Sequence, residues 1–269
     1  MVVVDQFVDF LKDLVRSREI LFTMTRRDFS DRYLGSYLGL LWAFIHPLAS
    51  IVVLWVVFQL GFKCRPVSGC PFILWLASGM IPWLFLSEAI SRAASSILDR
   101  TFLVKKVCFR TSMLPIVSIG SVLLIHLFFL VVLLGMFGAY RRCPDVCVLQ
   151  LPYYLGASLF LLLGVSWITS SLSVFLRDVP QVITLLLQFA FWGTPVFWSL
   201  DMMPESLRGW LKLNPAMYLV EGYRDALIHK VWFWQHPDTT LYFWLFATAC
   251  FVTGALMFRR LRPHFADVL

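Results

Sequence analysis

Residues 113–137 read MLPIVSIGSVLLIHLFFLVVLLGMF, a run with no Asp, Glu, Lys or Arg. A helix rises about 1.5 Å per residue, so this run covers the roughly 30 Å hydrocarbon core of a bilayer. Inside lipid each backbone N–H and C=O has to be paired within its own segment, which makes helix the expected form. A membrane barrel would need polar and apolar residues in alternation to line its lumen, and the run shows no such alternation.

Comparable blocks lie on both sides, at 37–60, 72–90, 153–176, 182–200 and 241–258. The sequence therefore predicts an all-α membrane protein with six spanning helices. Composition agrees: the 269-residue chain is 59% hydrophobic and only 14% charged, against about 45–50% and about 25% in soluble domains. The N-terminal stretch alternates charged with apolar residues and has no clean apolar centre before a small-residue cleavage site. No cleavable signal peptide is expected, and the first span is left to do the targeting. Three parts follow: an N-terminal segment 1–36, a six-helix domain 37–258 and a tail 259–269.

The net charge of +7 would suggest a nucleic-acid partner in a soluble protein. Here the basic residues sit between the apolar blocks, so they report orientation instead. Lys12, Arg16, Arg18, Arg26, Arg27, Arg32, Arg92, Arg100, Lys105, Lys106, Arg110, Arg177, Arg259, Arg260 and Arg262 fall on one side. Those fifteen face eight on the other, namely Lys63, Arg65, Arg141, Arg142, Arg208, Lys212, Arg224 and Lys230. The richer side is the cytoplasmic one, so both termini are expected inside.

Three segments are neither span nor simple loop. In 4–15, Val4, Phe7, Val8, Leu11, Leu14 and Val15 recur at helical spacing among charged residues. Twelve residues are too few to span, so this is either an amphipathic helix lying in the interface or one packed on a soluble partner. The inner loop 92–112 is too apolar for a free linker and suits a short amphipathic helix that docks another protein or rests on the membrane surface. The outer loop 201–240 carries Trp210, Met217, Tyr218, Tyr223, Trp232, Phe233 and Trp234, too many aromatic and apolar groups for a solvated loop. Asn214-Pro215 offers a break in it, so a helical hairpin re-entering the outer leaflet is expected.

Charges inside the spans are few: His46, Glu88 and His126. Ion-coupled carriers ordinarily need carboxylates near the midplane, and none is evident. A phosphate-binding glycine-rich loop followed by Lys and Ser/Thr is also absent, as is a His-Glu-x-x-His zinc motif. Gly164-Val165-Ser166 with His126 could be imagined as a nucleophile and its base, but small residues in a span more often mark close helix packing. Energy for any active transport has to come from a separate subunit.

Six cysteines are present, and Cys64, Cys70, Cys143 and Cys147 all fall in the first two outer loops. On an oxidising side they are candidates for disulfides, with three pairings open, or they are free thiols.

Arg26-Arg27-Asp28-Phe29, Arg32-Tyr33-Leu34-Gly35-Ser36-Tyr37-Leu38-Gly39-Leu40-Leu41-Trp42-Ala43, Arg177-Asp178, Thr194-Pro195 and Asn214-Pro215 recur in one family. Tyr223-Arg224-Asp225 and Phe258-Arg259-Arg260-Leu261-Arg262-Pro263 complete the set. With these motifs the chain resembles the ABC-2 type permeases that export O-antigen, capsular polysaccharide or teichoic acid. Leu34 departs from the pattern, which commonly has a basic residue there. The resemblance implies a homodimer of six-helix subunits bound to two ABC ATPase subunits, with ATP and Mg held by the ATPase and no cofactor in this chain. It implies a coupling helix in 92–110, for which Ser96, Asp99, Arg100, Phe102, Lys105 and Lys106 are the candidate contacts. It implies a cargo of undecaprenyl-type lipid-linked glycan moving through a pore between protomers.

Aromatic faces suit sugar C–H surfaces without fixing a register, and Trp42, Trp55, Phe191, Trp192 and Phe197 are the candidate channel residues. Arg26, Arg27 and Arg32 could attract the carrier's pyrophosphate at the cytoplasmic mouth. A drug or small lipid as cargo, an ion-coupled secondary carrier and a membrane enzyme are the competing readings.

Overall fold

The computed structural model describes residues 18–31, 39–63, 69–104, 111–142 and 145–269. The amphipathic stretch 4–15, Arg32, Cys64, Lys105, Lys106 and Cys143 lie outside the described residues. The described chain is helical. In order come α1 (Arg18–Asp31), α2 (Trp42–Trp55, continued by a π-helical Val56–Gly61), α3 (Phe72–Ser95) and the four-residue α4 (Thr101–Val104). There follow α5 (Met113–Ala139), α6 (Leu151–Phe175), α7 (Val179–Gly193), α8 (Glu205–Leu211), α9 (Pro215–Arg224), α10 (Pro237–Leu261) and α11 (Phe265–Val268).

Among the described residues, five helical stretches are long and apolar enough to cross a membrane: Trp42–Gly61, Phe72–Ser95, Met113–Ala139, Val146–Phe175 and Pro237–His264. The expected span at 182–200 is shorter than its hydropathy suggests. α7 stops at Gly193 after 15 residues, roughly 22 Å of helix. The cause is Pro195, which disfavours helix in the residue before it; Thr194 is extended, with φ −101° and ψ 137°.

Two lipid-phase rules explain how the helices pack. Burying an apolar side chain gains little when lipid is as apolar as the protein, so close backbone approach and interhelical hydrogen bonds carry the association. Accordingly α3, the central helix, buries Ala77, Ser78, Gly79, Ala89, Ala93 and Ala94. It touches α2, α5, α6, α7 and α9. Ser173 on α6 donates to the Ala94 carbonyl of α3 at 2.6 Å. The α6–α10 pair is joined through Gly164 and Gly254. A Cβ on Gly164 would stand 2.6 Å from the Phe251 nitrogen, and one on Gly254 would collide with the Gly164 carbonyl. Gly164 is therefore a packing residue. His126 is bonded to Tyr223, not Ser166, so no nucleophile–base pair exists there.

The C-terminal end is docked. Phe265 is fully buried between Phe258 and Phe175, at ring-centroid distances of 5.5 and 6.1 Å. Among the helices matching the expected spans, two are conspicuously uncovered. α2 buries only Ala43 and Ile51, and α7 buries no residue at all.

Candidate functional site

The end of α7 and the chain between α8 and α9 meet at one node. Asn214 supplies two bonds to it. Its Oδ1 accepts from the Ala216 N–H at 3.0 Å and caps α9, while its Nδ2 donates to the Thr194 hydroxyl at 2.8 Å. Thr194 in turn donates to the Ala190 carbonyl, one turn back on α7, at 2.7 Å. The two proline breaks, Thr194-Pro195 and Asn214-Pro215, are thus stitched to each other.

Arg224, at the end of α9, completes the node and is fully buried. Nη1 donates to the Pro195 carbonyl at 2.5 Å and to Glu221 Oε1 at 2.7 Å, and Nη2 donates to the Val196 carbonyl at 2.6 Å. Its guanidinium carbon lies 3.6 Å from the Trp75 ring centroid, a cation–π placement. Gly79 on α3 makes the room, since a Cβ there would come 2.5 Å from Nη2. A buried charge is tolerated only when paired and hydrogen-bonded, and here the chain break after α7 supplies carbonyls that no helix has claimed. Asp225, next along, is mostly buried; desolvation, then the Glu221 charge, raises its carboxyl to about 7 against the pull of Arg224.

An aromatic cluster rests on this node. Phe197 lies 5.3 Å from Phe191, 5.1 Å from Trp192 and 5.3 Å from Phe58, ring centroid to centroid. Phe191 also meets Trp83 at 5.8 Å. Three of the five candidate channel residues are therefore brought together. Phe197 is buried, Phe191 half-buried, and Trp192 is 62% exposed. Trp55 packs half-buried against the core, and Trp42 lies at the far end of α2, 49% exposed.

Beyond the node, aromatic hydroxyls knit the ends of α6, α9 and α10. Tyr153 and Tyr218 share a 2.8 Å hydrogen bond, Trp244 donates to Tyr153 at 2.8 Å, and Tyr153 stacks on Phe233 at 4.0 Å. Gln150 donates to the Val231 carbonyl and accepts from the Phe233 N–H, at 2.7 and 3.0 Å. Part of the aromatic richness of 201–240 is thus internal packing around α9, while Trp210 on α8 and Trp234 stay 74% and 56% exposed; the two short helices flank the expected break.

At the opposite end, Leu98–Arg100 forms a 3-10 turn leading into α4. Ser96 is buried and donates to the Ala93 carbonyl at 2.7 Å, so it holds the turn and presents nothing outward. Asp99 accepts from Ser95 at 2.8 Å, and Arg100 is paired with Asp28 of α1. Phe102 stands 63% exposed. Arg26 and Arg27 are exposed on α1, Arg27 paired with Asp31 at 3.8 Å. Cys70 and Cys147 are buried free thiols and do not bridge each other.

Sequence reasoning missed the role of Arg224, which it counted with the outer-loop charges. The available signal was an arginine set among the apolar residues 216–228, where a solvated charge has no water to meet.

Residues 19–228 match the family model described as ABC-2 type transporter. The chain is 28% identical over 266 residues to the O-antigen export system permease protein RfbA of Myxococcus xanthus, covering 97% of this chain and 99% of the relative. It is 24% identical over 252 residues to the O-antigen export system permease protein RfbA of Klebsiella pneumoniae, covering 93% and 95%.

Proposed function

We propose that this chain, which belongs to the ABC-2 type transporter family, is the membrane permease subunit of an ATP-driven exporter of a lipid-linked, O-antigen-like polysaccharide. In this reading two copies pair across the inner membrane, and two ABC ATPase subunits bind ATP and Mg beneath them. α7 serves as the short fifth of six spans, both termini are cytoplasmic, and α8 and α9 form the re-entrant hairpin. The glycan passes between the copies, past Trp42 and the Phe191–Trp192–Phe197 cluster. Leu98–Val104, with Phe102 outermost, engages the ATPase, and Arg26, Arg27 and Arg32 attract the carrier's pyrophosphate.

The observation that carries this reading is the bareness of α2 and α7. Val52, Val53, Val182, Leu185, Leu186 and Phe189 are all uncovered in one chain. Each rests on the bundle by one side only, α7 on α3 and α6 and α2 on α3, and a second copy would cover the bare side.

The test is complementation. A strain lacking this gene should keep lipid-linked glycan inside and lose it from the surface, and recovery should require both this chain and a functional ATPase. Normal surface polysaccharide in the null strain would reject the proposal. Cysteines at Leu186 should cross-link two copies, and exclusively monomeric protein would reject the dimer.

A further inference from the structure

A cavity of about 420 Å³ opens among α2, α3 and α5. Its walls are apolar, with Trp42 and Pro47 from α2, Leu84 and Phe85 from α3, and Val122 and Phe129 from α5. Along α3 it runs from Ile81 to Arg92, roughly 16 Å at the helical rise. The volume is that of a small-molecule site, and clefts between bundle helices are a usual place for one.

Its two ends differ. At one lie Glu88 and Arg92, paired one turn apart and with side chains 45% and 35% exposed. At the other lies His126, 3% exposed, with Nε2 hydrogen-bonded to the Tyr223 hydroxyl at 2.9 Å. His126 Nδ1 is already out of solvent, so an apolar chain arriving beside it adds no penalty.

We propose that this cavity holds one acyl chain of phosphatidylethanolamine, with its phosphate on Arg92 and its ammonium on Glu88. A void among membrane helices forfeits the dispersion contacts of its lining, and the surrounding bilayer supplies chains that restore them. The rim selects the headgroup. Arg92 and Glu88 together carry no net charge and present a cation beside an anion, which complements a dipolar headgroup. A purely anionic headgroup would meet the Glu88 carboxylate as well as the Arg92 guanidinium. Trp42 also flanks the proposed glycan path, but lipid retention is read without glycan or ATPase, so the two readings fail separately.

The full-length protein, assembled in nanodiscs of equal phosphatidylethanolamine and phosphatidylglycerol, is released and weighed by native mass spectrometry. One phosphatidylethanolamine per chain should be retained, about tenfold over phosphatidylglycerol, the worth of one charge-assisted hydrogen bond. Glu88→Gln should bring that ratio to parity. Ala43→Leu should fill the slot and remove the retained lipid, and Val122→Phe narrows it from the opposite wall if the first variant does not fold. Equal retention of both lipids by the parent, or unchanged retention in the filled variants, means lipid adhering to the outer surface only and overturns the site. Retention of a polyprenyl-linked glycan instead overturns it too.

Discussion

Arg224 lies over the face of Trp75, its guanidinium carbon 3.6 Å from the ring centroid, while two of its nitrogens are spent on the carbonyls of Pro195 and Val196. One side chain thereby fixes the end of α9 against both α3 and the break after α7. Removing the charge strands Glu221 and two carbonyls. Arg224→Met should cost about 3–5 kcal/mol, as for one partner taken from a buried pair. Arg224→Lys should recover only a fraction, because an ammonium cannot match the planar fork. Thermal unfolding in detergent measures both, and a lysine variant as stable as the parent would contradict the geometry.

Asn214 separates two functions by its two atoms. Asn214→Asp keeps the cap on Ala216 and loses the donor to Thr194, whereas Asn214→Ala loses both. A helix cap is worth about 1 kcal/mol, and a neutral hydrogen bond about the same. The Ala variant should therefore be less stable than the Asp variant by roughly 1 kcal/mol, and equal stabilities would show that the cap on Ala216 carries nothing.

Phe102 and Ser96 should part company. Phe102→Ala removes an exposed ring and should leave the melting temperature unchanged while reducing co-purification of the ATPase. Ser96→Ala removes a buried hydroxyl bonded to Ala93 and should lower stability by about 1 kcal/mol with no direct effect on association. A Phe102 variant that still retains its ATPase in full would remove this residue from the interface.

Among the aromatic candidates, exposure divides channel from core. Trp192→Ala should reduce surface polysaccharide without destabilising the chain, since the indole is uncovered. Phe197→Ala should lower the thermal midpoint, since it leaves a void against Phe58, Phe191 and Trp192. Quantifying surface glycan beside the thermal midpoint distinguishes the two, and a Trp192 variant with full export removes that residue from the path.

Asp225 makes stability depend on pH. Its carboxyl is raised to about 7, against about 4 in an unfolded chain. Between those values the folded protein holds a proton that the unfolded chain has released, so stability falls as pH rises from about 4 to about 7 and then levels off. Asp225→Asn should flatten that slope in thermal midpoints taken across the range; an unaltered slope would assign the dependence to another group.

The continuous apolar run 113–137 was readable because nothing in it competes with helix, and α5 occupies Met113–Ala139. The end of α7 was not readable from hydropathy, since the residues on either side of Thr194-Pro195 are equally apolar and only the backbone constraint of Pro195 ends the helix. The burial of Ser96 was not readable, because a short turn has no periodicity from which to tell its inner face. Arg224 was hidden because formal charge does not reveal burial, and its carbonyl partners lie 28 and 29 positions away.

The meeting of Gly164 with Gly254 bears on how α6 and α10 are coupled. With no side chains between them to act as rollers, α6 and α10 interlock backbone to backbone and travel as a single plank. To slide one past the other would first require opening the Gly164–Gly254 contact.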